Sequence, residues 1–240
     1  DGRVQMKSGL KFTRRVVANI AMTAVIAGLF LFGITGTVVA ADANNAPVYK
    51  GANSEKVSLM INVYWGTEYI DGMLEVLRDN NVKTTFFVGG MWVRDNEEAF
   101  KKIVNEGHEI GNHGFFHKDH DKISAERNRE EITSTHNLVS AVGGINMTLF
   151  APPSGAFDDV TLEIAKELGY TTIMWSKDTI DWRDKDSKLI FNRAVKNVSG
   201  GDLILMHPTA ATLAALDSIV KAIKEAGLTV APVSEVLRAE

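Results

Sequence analysis

With 240 residues, 45% hydrophobic and 23% charged, the chain has ordinary globular composition, which excludes a disordered or collagen-like polymer. Its formal net charge of -4 offers no basic footprint, so nucleic acid is excluded as a partner. It has no cysteine, which excludes disulfides and thiolate chemistry.

The leader comes first. Lys7, Lys11, Arg14 and Arg15 form a positive cluster, residues 16–41 carry no charge, and Ala41-Asp42-Ala43 offers a small-x-small cleavage site. Residues 1–43 therefore read as an export signal. It is either a cleaved signal peptide or an uncleaved membrane anchor, because the apolar run exceeds the roughly 7–15 residues of an ordinary signal core. Basic residues ahead of it place the remainder outside the cytoplasm in both cases. The expected location is the cell envelope, secreted or anchored on the outer face, with the membrane a partner only if the leader is uncleaved. Residues 44–56 are polar and read as a linker, and residues 57–240 as one domain.

Within that domain the periodicity predicts strands over 57–63, 83–88, 108–110, 148–151, 171–175, 202–206 and 229–232. Helices are predicted over 69–79, 97–106, 124–142, 158–168, 187–198 and 214–226, with a last turn over 234–237. Gly107 suits a helix C-terminus, Ser124 an N-cap, and Asp158-Asp159 a capped helix start. Alternating strands and helices predict an α/β protein with a parallel sheet, and seven or eight strands favour a (β/α) barrel over a doubly wound sheet.

In such a barrel, reactive groups gather at the C-terminal ends of the strands. Asn62, His113 and His117, residues 152–155, Asp178 and Asp181, and His207 all follow apolar runs. His113 and His117 stand at i and i+4, so one helical turn would aim both imidazoles at one metal ion; a solvated surface pair is the ordinary alternative. Neutral imidazole suits zinc, cobalt or nickel. His207 at a strand end suits a general acid or base, or a satisfied structural histidine. Asp178 and Asp181 beside Trp182 suit a pair that orients a histidine and walls a pocket, or simple loop caps. His108 reads as a bonded core residue, His120 as surface, His136 as solvated, and Trp65 and Trp175 as core.

Five segments in this order resemble the signatures of the polysaccharide deacetylase (NodB-homology, carbohydrate esterase) family. They cover residues 82–89, 106–113, 150–157, 178–182 and 203–207, and the resemblance runs from about Ser58 to Leu237. It implies a distorted (β/α) barrel and a metal-dependent hydrolase that removes acetyl groups from N-acetylated cell-wall glycan, peptidoglycan or chitin-type. It implies zinc on His113 and His117, His207 as the acid, Asp181 and Trp182 in the pocket, and Leu205 against the acetyl group. Pro153 and Ser154 fall in the pocket segment, and Ser154 stands where the family usually has an aromatic.

The first motif departs from that pattern. Aligning on Trp65-Gly66 puts Asn62 at the catalytic-base position and Val63 at a metal-ligand position; aligning on the glycine alone puts Tyr64 and Trp65 there. Neither alignment supplies a carboxylate. The arginine that would pair with the base is Ala151. A missing general base costs about 10²–10⁴ in rate, and two protein ligands fall short of the usual three for catalytic zinc. Two functions remain from the sequence: a deacetylase with weak or altered catalysis, and a non-catalytic glycan-binding protein on the same fold. A hydrolase of another amide or ester is a third.

Overall fold

β1 (Lys56–Val63) is buried from its second residue onward, and this decides the architecture. A strand with no polar face is covered on both sides, as in a parallel sheet wrapped by helices. Val57, Leu59, Ile61 and Val63 point into the outer core, while Met60 joins Phe87, Leu149 and Ile173 in an inner one. The period-2 alternation thus sorts one strand between two hydrophobic clusters.

The computed structural model describes residues 45–239. β2 (Thr85–Val88), β3 (Glu109–Asn112), β4 (Leu149–Phe150) and β5 (Thr171–Thr172) extend the sheet on one side of β1, each parallel to its neighbour. β7 (Leu203–Met206) and β6 (Lys177–Asp178) extend it on the other. The order β5-β4-β3-β2-β1-β7-β6 is the expected distorted barrel, and β8 (Thr229–Val230) pairs with the first residues of β1 below the start of β2.

Helices cover the outside. α1 (Ile70–Asp79) buries Ile70, Met73, Leu74 and Leu77, the spacing of one apolar face. α2 (Gly90–Asp95), absent from the sequence reading, precedes α3 (Glu97–Asn105). α4 (Ala125–Gly143) starts at Ser124, whose hydroxyl accepts from the Arg127 amide, and ends at Gly144 with φ 67°. α5 (Asp159–Glu167) is capped by Asp158 and Thr161. α6 (Ser187–Val195), α7 (Ala210–Glu225) and the short α8 (Val233–Val236) complete the shell.

The stretch read as a linker is bonded into the sheet. The Val48 amide donates to the Thr172 carbonyl, the Met174 amide donates to the Val48 carbonyl, and the Gly51 amide donates to the Gly201 carbonyl. These bonds stitch the segment between β5 and the start of β7. The leader read as a signal or anchor lies outside the described residues. Among the described residues no helix is long and apolar enough to cross a membrane.

The inner core is tight beneath the functional rim. A Cβ on Gly111 of β3 would sit 2.3 Å from Cδ1 of the fully buried Phe87. Gly111→Ala is expected to destabilise the fold by about 1–3 kcal/mol through overpacking. Urea unfolding measures this, and an unchanged midpoint would contradict the packing described.

Candidate functional site

The loop after β3 carries two of the histidines, and hydrogen bonds fix its course. Oδ1 of Asn112 accepts from the Gly114 amide at 2.9 Å, and Oε2 of Glu131 accepts from the Phe115 and Phe116 amides at 2.7 and 2.6 Å. Glu131 is itself paired with Arg127 at 2.7 Å. Gly114 has φ +69°, and a Cβ there would meet His120 Nε2 at 3.2 Å and Pro153 Cγ at 3.3 Å. Only glycine fits such a site comfortably.

His113 and His117 do not share a helical turn as the spacing suggested. His117 itself sits at φ 52°, and the two rings meet edge to face with centroids 5.0 Å apart. Nδ1 of His113 lies 2.7 Å from the Ala151 carbonyl, which can only accept, so Nδ1 carries the proton and Nε2 a lone pair. Burial, then the neighbouring His117, hold the His113 pKa well below the usual imidazole value. Burial lowers His117 as well. Both imidazoles are therefore neutral near pH 7.

Across the rim, His207 follows β7 and is locked to Asp181. The His207 amide donates to Asp181 Oδ2 at 2.6 Å, and His207 Nδ1 donates to Oδ1 at 2.7 Å. Thr212 Oγ1, from the first turn of α7, donates to the same Oδ2. A carboxylate 3% exposed is thus satisfied by three donors and fixes the imidazole with Nε2 outward.

These groups meet in one cleft of about 440 Å³, a size suited to a sugar-scale ligand. Asn62, His113, His117 and His207 line it, and so do Ser154, Trp182 and Leu205. Pro153 is buried behind the wall and Asp181 beneath His207, so neither lines the cleft. Trp65, Trp175, Asp178 and Gly155 line it too. Trp65, read as core, is 44% exposed and stacks on His207 at 5.4 Å between centroids. Its position just past a strand end, ahead of Gly66, was the sequence signal that it belongs to the rim.

Other positions differ from their sequence readings. His120, read as surface, is fully buried with its ring against Phe150. His136 donates to or accepts from the Tyr170 hydroxyl instead of facing water alone. His108 is the buried, bonded residue expected, accepting from the Thr84 amide, with burial lowering its pKa to about 4. Backbone strain collects at the cleft. His117, Ser154 and Ile180 have φ between 52° and 58°, in loops that carry lining residues. For a β-branched residue such as Ile180 this is a true outlier, and such strain concentrates at functional sites.

The donors present do not fit a catalytic metal. Among the described residues no group of three His, Cys, Asp or Glu side chains is placed to hold an ion. Val63, one candidate for the missing ligand, is fully buried in the outer core, away from the cleft. Trp65, the other, lines the cleft with its ring stacked on His207, and an indole N–H can only donate. A centre with two imidazoles and no third donor falls short of the ligand set such an ion needs. Ala151 sits in the inner cluster with Met60 and Phe87, so apolar side chains fill the space an arginine would enter.

The polysaccharide deacetylase family matches residues 50–173 of the chain. Peptidoglycan-N-acetylmuramic acid deacetylase PdaA of Bacillus subtilis (strain 168) is 31% identical over 195 residues, covering 79% of this chain and 74% of PdaA. The chain belongs to the polysaccharide deacetylase family. Another relative in it is the uncharacterized protein YlxY of Bacillus subtilis (strain 168), 40% identical over 193 residues, which cover 80% of this chain; the chain spans 60% of the length of YlxY. Among solved structures, a CE4 family pseudoenzyme from Bacillus anthracis superposes with a TM-score of 0.80 at 38% identity, covering 82% of this chain and 70% of that one. A mutant of that pseudoenzyme is described as having restored enzymatic activity. This polysaccharide deacetylase-family chain therefore has both catalytic and pseudoenzyme relatives, and its own residues decide between them.

The Asp181 carboxylate accepts from three donors. Thr212→Val keeps the shape but removes one donor from a buried carboxylate, and is expected to cost about 1.5–3 kcal/mol. A urea unfolding free energy within error of the parent would contradict the network.

Proposed function

We propose that this chain binds N-acetylated cell-wall glycan in the cleft between β1, β3 and β7 and hydrolyses it weakly or not at all. The carrying observation is Asn62. It occupies the end of β1 inside the cleft as a neutral amide, where it cannot take up a proton at neutral pH. The missing third metal donor and the apolar surroundings of Ala151 support the same reading. Peptidoglycan, the substrate named for PdaA, is the glycan class favoured for this chain. The exposed faces of Trp65 and Trp182 suit pyranose rings, since aromatic side chains offer large rigid apolar area with a polar edge.

A second reading, residual deacetylation, rests on the intact Asp181–His207 pair. That pair holds an imidazole ready to protonate a leaving amine, as the family resemblance implies for His207. It lacks a partner to activate water, and the two steps depend on each other. Placement in the envelope, by a cleaved leader or an anchor, belongs to this proposal.

Calorimetric titration with N-acetylated chitooligosaccharides and peptidoglycan fragments, run beside an acetate assay with added zinc or cobalt, tests it. Binding with no acetate above background is expected. Acetate release on every metal-loaded sample at rates close to those of PdaA would overturn it, as would the absence of binding to every glycan.

A further inference from the structure

Asn62 is 3% exposed and lines the cleft, yet its Oδ1 meets no hydrogen-bond donor within the described residues. A buried acceptor without a partner carries the full cost of its desolvation, and folded proteins keep few of them. The surrounding groups do not relieve it. Nδ1 of His113 is committed to the Ala151 carbonyl, and Nδ1 of His207 to Asp181. The side chain of Leu205, on the adjacent strand β7, has nothing to donate. An unpartnered acceptor therefore lines the same cleft as the exposed indole of Trp65, which is stacked on His207.

We infer that Asn62 reads the acetamido group: its Oδ1 accepts the amide N–H of a 2-acetamido sugar whose ring lies against Trp65. The inference rests on the glycan-binding reading above and adds to it a residue that selects the acetylated form. The charge balance fits. An amide N–H is neutral, and Asn62 is a neutral acceptor. The ammonium of a de-N-acetylated sugar needs a charged partner, and the lining carboxylate, Asp178, already accepts from the Ile180 amide at 2.7 Å. A carboxylate at position 62 would reverse this preference, because a buried cation needs an opposite charge. Replacing an aspartate by asparagine at this point would convert a group that works on the acetamido bond into one that recognises it.

The test titrates the full chain with N-acetylated chitotetraose and with the same tetramer fully de-N-acetylated, its amines protonated. The parent is expected to prefer the acetylated form by about tenfold or more. Asn62→Leu should lose about tenfold in affinity for the acetylated tetramer and little for the other. It should also raise Tm by about 2–4 °C, since an orphaned buried acceptor has been removed. That opposition, weaker binding with greater stability, would not come from a merely structural asparagine. Asn62→Asp, which keeps the shape, should narrow or invert the preference and serves if the leucine variant does not fold. Equal binding of both tetramers by the parent, or unchanged discrimination in both variants, would overturn this inference while leaving glycan binding intact. Binding of neither tetramer by the parent would overturn the glycan reading and this inference with it.

Discussion

A buried charge needs a partner, and this constraint shapes both sides of the cleft. On the β7 side, Asp181 is kept because the His207 amide, the His207 ring and Thr212 all reach it. On the β1 side, Ala151 offers no cation, Met60 and Phe87 fill the space below, and the residue at the strand end is the neutral Asn62. A carboxylate at that point would be a buried charge without the arginine that would pair with it, since position 151 is an alanine. The same rule thus accounts for a kept carboxylate on one side of the cleft and a neutral amide on the other.

The barrel makes the site possible without deciding what it does. Parallel strands bring residues from β1, β3, β6 and β7 to one rim, although they lie far apart in the chain. The loops above the strands are held in conformations that cost energy, at His117, Ser154 and Ile180. The cost is borne by a rigid base: the Gly111–Phe87 contact below and the Asn112 and Glu131 bonds around the histidine loop. A preorganised cleft of this kind serves recognition as well as turnover, because fixing the groups in advance reduces the entropy lost on binding.

Much of this was legible in the sequence. The strand and helix pattern gave the barrel because hydrophobic period reports burial directly, and the rim residues were visible as polar positions closing apolar runs. Asn62, His113, His117, Trp182, Leu205 and His207 meet as that logic requires. The helical turn proposed for His113 and His117 failed because spacing does not encode backbone hand, and His117 takes the left-handed region. A single aromatic or imidazole has no periodic context to place it, so Trp65 reads as core and His120 as surface where the structure has the reverse. Residues 44–56 read as linker from their polar composition, yet a polar stretch can form backbone bonds as readily as an apolar one. Thr212 was invisible: its role depends on where α7 begins, four residues earlier than its apolar pattern suggested.

In the proposed reading, the cleft recognises a glycan with two imidazoles that lack the third donor of a working metal centre. Zinc content of the full chain, purified after dialysis against equimolar zinc with PdaA treated in parallel, tests this most directly. Zinc well below one ion per chain is expected while PdaA fills its site, with little further change when His113 is replaced by Ala. One tightly held zinc per chain, lost in His113→Ala, would contradict it.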